Sequence, residues 1–472
     1  MKKIVTLLAL CICITASAES RRLLTMEEAI LSRELIPQNY SVVWSASHPN
    51  HFLHYSDSEW SAVNIHTGEA SPATAPSKPK AQFKTVENNI VRIMDDGTER
   101  KVTNFADPNI VAGGSVSRNE FGIDSGLFPS PNGELLAFYQ KDESRVSTFP
   151  LLDITTRTGT LKQIKYPMNS MASEVVSVGV YNLATENITY LSVTDFDSEQ
   201  YLTNPTWSPD SSTIYLQVLD RAQKNVHLNA YCAATGKKIK TLLTEYNDKY
   251  VEPSFPLVFL ESDPTQFIYT TSNRDGYQNL YLCNTEGTIR RLTAVDADVE
   301  YAGQNNKSIF YHSAEVSPVE RHLFAVDIKS GKTRQLTRGE GWHNCTISHN
   351  GEYFADNYSS LSVPRVVAVG TTNGRHYREL FRAEDPCTEH NYCPIELGTV
   401  RSADDKYDNY YRLIKPLDFD PTKKYPVILY VYGGPHSQMV TNSFQAQLRR
   451  WEMYMAQRGY VVFVMDNRGT DN

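Results

Sequence analysis

The chain has 472 residues, 40% of them apolar, 11% aromatic and 21% charged, with a formal net charge of −8. That length exceeds one ordinary core, so it requires two or more domains or a repeat array. The apolar content excludes a disordered chain, and the acidic balance argues against a basic stripe for nucleic acid.

At the N-terminus, Lys2-Lys3, an apolar run from Ile4 to Ile14 and then Ala16-Ser17-Ala18 read as a secretory signal, residues 1–18, cleaved after Ala18. A periplasmic or secreted location follows. The run is shorter than the ~20 residues a membrane helix needs, and no other segment approaches that length, so no membrane span is expected. A lipid anchor on Cys11 or Cys13 is disfavoured by the large Leu10 and Ile12 that precede them. Cleavage would leave Cys232, Cys283, Cys345, Cys387 and Cys393, an odd set that cannot all pair within the chain. Cys387 and Cys393 bracket only TEHNY, and a local disulfide between them suits an oxidising compartment. With neither CxxC nor HExxH in the sequence, no metal or other cofactor is expected.

Residues 19–37 are expected to hold a short helix. Thr25-Met-Glu-Glu28 is a capping box, Met26, Ala29, Ile30 and Leu35 offer an apolar side, and Pro37 ends it. Residues 38–394 then repeat a phrase. VNIHTGE, NAYCAATGK, LYLCNTEGT and FAVDIKSGK each join an alternating apolar strand to a polar turn, with SPNGE, WSPDS and SHNGE turns between. Taken at Asn187, Gly236, Gly287, Gly331 and Gly374, the turns recur every roughly 40–50 residues, the period of β-propeller blades. A long β-sandwich would not space its turns so evenly. The stretch KQIKYPMNSMASEVVSV (162–178) reads as an excursion from one blade.

From residue 395 to 472 the pattern changes. A strand or hairpin around Ile395–Leu413 precedes Pro426-Val-Ile-Leu-Tyr430, which reads as a buried strand stopped by the glycines of YVYGGPHSQ. Phe444, Leu448, Trp451 and Met455 mark one face of a helix, with Gly459 placed to cap it. Tyr460–Met465 is an apolar strand suited to a sheet covered on both faces. The fold class is therefore mainly β: a propeller followed by the first part of an α/β domain.

The order of these pieces, with SVSRNEFGI (115–123), KYVEPSFPLVFL (249–260), YVYGGPHSQ and MAQRGYVVFVMDNRG, resembles the prolyl oligopeptidase family of serine peptidases. The match lies in its dipeptidyl peptidase IV subfamily and is closest to bacterial prolyl tripeptidyl peptidases. The resemblance implies eight blades, an α/β-hydrolase domain and homodimers. It also implies cleavage after proline near the free N-terminus of a peptide. Tyr432 matches the tyrosine that donates its hydroxyl to the oxyanion, and Glu120 the propeller glutamate that grips the substrate ammonium. Dipeptidyl peptidase IV enzymes generally pair two glutamates here. Asn119 stands before a single Glu, which favours the tripeptide-releasing relatives, whose second glutamate comes from the hydrolase domain.

No G-x-S-x-G occurs in the sequence, so the nucleophile elbow is missing, and because hydrolase triads run Ser, Asp, His in chain order all three are expected after residue 472 in a full-length relative. His436 is read as a loop histidine rather than the catalytic base. The stop within DNRG is read as a C-terminal truncation, and the chain alone as inactive. The N-x-S/T matches at Asn187, Asn306, Asn344 and Asn357 are read as chance, and DDKYDN (404–409) as a hairpin turn rather than a calcium loop. The rival reading is a non-catalytic periplasmic propeller that binds its ligand without cleaving it.

Overall fold

The computed structural model describes residues 21–76, 82–434 and 436–470. The expected signal and its cleavage site lie outside the described residues. Among those residues no helix is long and apolar enough to cross a membrane. The chain divides into two compact units.

The larger unit, Tyr40–Asn357 with Val367–Leu380, is a β-propeller, as expected. Its sheets are antiparallel meanders in which neighbours in space are mostly neighbours in the chain. One of them joins Tyr201–Trp207, Thr213–Leu219, Asn225–Cys232 and Lys238–Tyr246. Its second strand is buried at nearly every position because other sheets cover both its faces, whereas Lys238–Tyr246 at the sheet edge is mostly exposed. Apolar clusters bridge successive sheets: Tyr215 and Leu228 pack with Phe267 and Tyr281, and Leu280 with Ile309 and Phe324. Tyr353, Ala355 and Val369 of the last sheet join Phe52, Val63 and Ile65 of the first, which closes the succession. Seven sheets of three to five strands follow one another in this way among the described residues, and they do not establish the eight blades implied by the resemblance.

The repeated turns share one hydrogen bond. Ser130, Ser208 and Ser348 open the three S-x-x-x turns, and each Oγ accepts from the backbone N–H five residues on, at 2.9–3.0 Å. The excursion forms an antiparallel hairpin of its own, Thr148–Asp153 with Thr160–Lys165. It is inserted between Leu135–Asp142 and Val175–Asn182, which pair directly with each other.

The smaller unit comprises the described parts of Met1–Asn39, Tyr358–Val366 and Phe381–Asp471. Thr25 and Glu28 form the expected capping box, but the helix is only Met26–Ile30 and stops well before Pro37. Five residues cannot present a full stripe: Ala29 is buried, whereas Met26 and Ile30 are exposed. The unit's sheet runs Ile395–Arg401, Asp408–Ile414, Val461–Met465, Val427–Tyr430 in spatial order. The last two strands are parallel and the other pairs antiparallel. The DDKYDN segment is the hairpin turn between the first two, and its Asp404 pairs with Arg468 at 2.6 Å.

Three further expectations are corrected here. The apolar stripe from Phe444 to Met455 does not lie on one helix. Phe444–Gln447 is a kinked 3₁₀ turn with left-handed Gln445 and Ala446, and the α-helix is Arg450–Ala456. The ladder fails because its groups are engaged elsewhere: Arg412 Nη1 donates to the Ala446 carbonyl at 2.5 Å, and the Gln445 N–H donates to the Leu361 carbonyl at 3.2 Å. Among the described residues the strand Val427–Tyr430 lies at the sheet edge, with Val427 and Leu429 exposed, where a buried strand was expected. Cys387 and Cys393 are free thiols, both buried and both pushed up in pKa by that burial, Cys393 to about 11.

Candidate active-site loop and peptide-anchoring cleft

Tyr432 follows the edge strand Val427–Tyr430 and is 63% exposed. The backbone around it requires glycine. Gly433 takes φ +74°, and a Cβ on Gly434 would lie 2.7 Å from the Tyr432 ring. The two glycines therefore let the chain turn back beneath the phenol. Pro435 lies outside the described residues. Beyond it, the Asp466 carboxylate accepts from Met439 N at 2.8 Å and Val440 N at 2.9 Å, which ties the loop to the end of strand Val461–Met465. Burial raises the pKa of this carboxyl, against the opposing pull of the two amide donors and Arg412.

A buried ion pair sits below. Arg412 and Glu452, 1% and 0% exposed, meet through Nη2 and Oε2 at 2.8 Å, and Arg412 Nη1 also donates to the Met439 carbonyl at 2.8 Å. One guanidinium thus fixes both ends of segment 439–446. Neither Asp466 nor this pair was picked out from the sequence. An acid directly after an apolar strand was the available signal for Asp466; the pairing of residues 412 and 452 left none.

In the propeller, Glu120 stands on a tight turn, Ser117–Gly122. Ser117, Arg118, Asn119 and Phe121 all have left-handed φ, between +52° and +65°. Such a run of strained residues is held only where the surroundings over-determine it. Here Asn204 Nδ2 donates to the Phe121 carbonyl at 3.1 Å and the Pro253 carbonyl at 2.8 Å. Glu174 Oε1 accepts from Ser117 N at 2.5 Å, and the Phe121 ring packs against Tyr201 with centroids 5.2 Å apart.

The turn forms one wall of a cleft of about 420 Å³. Lys165, Pro167, Ser173 and Glu174 of the excursion line another part of it, and Lys141, Glu143, Tyr201 and Arg221 also line it. Lys141 is held between Glu143 at 2.9 Å and Glu174 at 3.7 Å. Arg221 pairs with Glu199 at 3.5 Å and donates to the Tyr201 hydroxyl. Glu120 is exposed and has no cation partner among the described residues, although four basic side chains line the same cleft. The excursion was visible in the sequence, but nothing there placed it against residue 120.

Fold and site together define a β-propeller followed in the chain by a four-stranded mixed sheet. Residues 31–365 match the family described as the dipeptidyl peptidase IV (DPP IV) N-terminal region, and the chain belongs to that family. A crystal structure of a protein from Bacteroides ovatus assigned as a dipeptidyl aminopeptidase IV is similar, with a TM-score of 0.76 and 37% identity over 92% of this chain and 65% of that one. Porphyromonas gingivalis dipeptidyl peptidase 4 follows at 0.74 and 27%, over 95% of this chain and 67% of that one. Human dipeptidyl peptidase 8 is 21% identical over 88% of this chain and 54% of its own length. A Coccidioides posadasii protein assigned as a dipeptidyl-aminopeptidase B is 23% identical over 84% and 47%. The chain spans about half the length of the curated relatives it matches.

Proposed function

We propose that this chain supplies the substrate-anchoring propeller and the oxyanion loop of an exported serine exopeptidase. The enzyme releases short N-terminal peptides after proline, with tripeptides favoured. The observation that carries this reading is Glu120, an exposed carboxylate in a cleft with no cation partner among the described residues. A peptide ammonium is the missing partner. A charge-assisted bond to it selects chain ends, because an internal peptide has no ammonium to offer. Tyr432 donates its phenol to the tetrahedral oxyanion, a neutral donor aimed where negative charge develops. Acyl transfer then runs through a seryl intermediate whose Ser, Asp and His are not among these 472 residues. Two copies associate in the complete enzyme, and residues 1–18 direct its export.

In the full-length protein, Ala-Ala-Pro-Ala should yield Ala-Ala-Pro, while the N-acetylated peptide should resist cleavage. Glu120→Gln should raise KM for the free peptide and leave kcat nearly unchanged. Equal cleavage of free and acetylated peptides would overturn the anchor. Release of Ala-Pro from Ala-Pro-Ala at the same efficiency would move the specificity to dipeptides. The rival reading, a propeller that binds without cleaving, draws on the absence of G-x-S-x-G from this sequence. Reading the gene past codon 472 separates the two, since an open frame carrying a nucleophile elbow excludes the rival.

A further inference from the structure

We propose that the cleft around Glu120 also reads an acidic side chain near the amino end of its peptide. This rests on Glu120 as the ammonium anchor, and it concerns the charges that the anchor leaves over. Of the basic residues lining the cleft, Lys141 and Arg221 are satisfied by Glu143, Glu174 and Glu199. Arg118 and Lys165 have no carboxylate partner among the described residues. Arg118 lays one face of its guanidinium on the Tyr166 ring, 4.2 Å from the centroid, which leaves its N–H edges open. Lys165 Nζ donates to the Val146 carbonyl at 3.1 Å and keeps its other hydrogens.

The cleft therefore presents one unpaired carboxylate and two unpaired cations. A ligand that satisfies all of them carries an ammonium and a carboxylate within a few bonds of each other. A peptide with Asp or Glu as its first or second residue has that pattern. So does a very short peptide through its own C-terminal carboxylate, and the test separates the two sources by amidation.

Calorimetric titration of the 472-residue protein would use C-terminally amidated Ala-Ala-Pro, Asp-Ala-Pro, Ala-Glu-Pro and Lys-Ala-Pro, together with acetylated Ala-Ala-Pro and non-amidated Ala-Ala-Pro. One of the acidic peptides should bind at least about fivefold tighter than amidated Ala-Ala-Pro, and Lys-Ala-Pro should bind more weakly. Lys165→Gln and Arg118→Gln should erase the acidic advantage, read as the ratio of the affinities for acidic and neutral amidated peptides. Lys165→Gln keeps the test sound if the strained turn does not tolerate a change at residue 118. Equal binding of acidic and neutral peptides overturns this proposal and leaves the ammonium anchor standing. A gain seen only for the non-amidated peptide assigns the cations to a chain end and also overturns it. If acetylation does not weaken amidated Ala-Ala-Pro, or no peptide binds at millimolar concentration, the anchor itself falls.

Discussion

In the proposed mechanism the chemistry at Tyr432 turns on one hydroxyl. The ring lies above Gly434 and is held by the chain's own turn, so Tyr432→Phe removes the donor and keeps the shape. In the full-length protein this substitution should lower kcat by about 10²–10³ with KM nearly constant, as for other single oxyanion donors. A kcat within twofold of the parent, measured on a prolyl nitroanilide peptide, would remove Tyr432 from that role. Tyr432 and Glu120 could be singled out in the sequence because GGPHSQ and RNEFGI are local motifs. Arg118, Lys165 and Tyr166 could not. They come from segments nearly 50 positions apart, and only the return of the hairpin brings them to the cleft.

Among the elements, the strand bearing His312 is a point of acid sensitivity. His312 is buried, and its Nε2 accepts from the Cys345 N–H at 3.1 Å. Burial, with Arg321 and His343 nearby, lowers its pKa from the usual 6.5 to about 3. The folded value lies below the unfolded one, so between these limits the unfolded chain takes the proton first. Stability should therefore be intact above about pH 6.5 and fall toward pH 3 by about 1.4 kcal/mol per unit for this one group. Urea midpoints across that range should show the slope, and His312→Gln should flatten it. The Arg412–Glu452 pair makes a second element-level prediction. Removing one partner by Glu452→Gln leaves a charge buried and should cost about 3–5 kcal/mol, read as a lower urea midpoint. The same pair explains why the helix was misread. Hydrophobic spacing reports which residues can face a core, and does not report that a distant guanidinium has claimed the Ala446 carbonyl. The repeat turns were legible for the opposite reason, since each is closed by its own serine within six residues.

For the whole molecule, the proposed roles of Glu120 and Tyr432 fall on separate elements, propeller and sheet, so binding and chemistry should be separable. The 472-residue protein should bind peptides through the propeller and leave prolyl nitroanilides uncleaved. Measurable hydrolysis by the purified chain would contradict the assignment of the nucleophile to other sequence. The propeller was legible in outline because its turns recur. The edge position of Val427–Tyr430 was not, since an apolar run shows that a strand can be buried and says nothing of which neighbours will cover it.

The turn that presents Glu120 has a consequence for how this protein can change over generations. A side chain on Gly122 would come within 2.2 Å of the Ser254 carbonyl, and Asn204 grips the chain on both sides of that approach. Ser254 lies in the linker between the sheet that ends at Tyr246 and the one that begins at Val258. That approach couples the linker at residue 254 to the turn that carries Glu120. A descendant tuned to peptides of another length can thus arise from an insertion or deletion near residue 254, in a loop that does not line the cleft. Residues 122, 204 and 254 would then change together, while Glu120 stays the same.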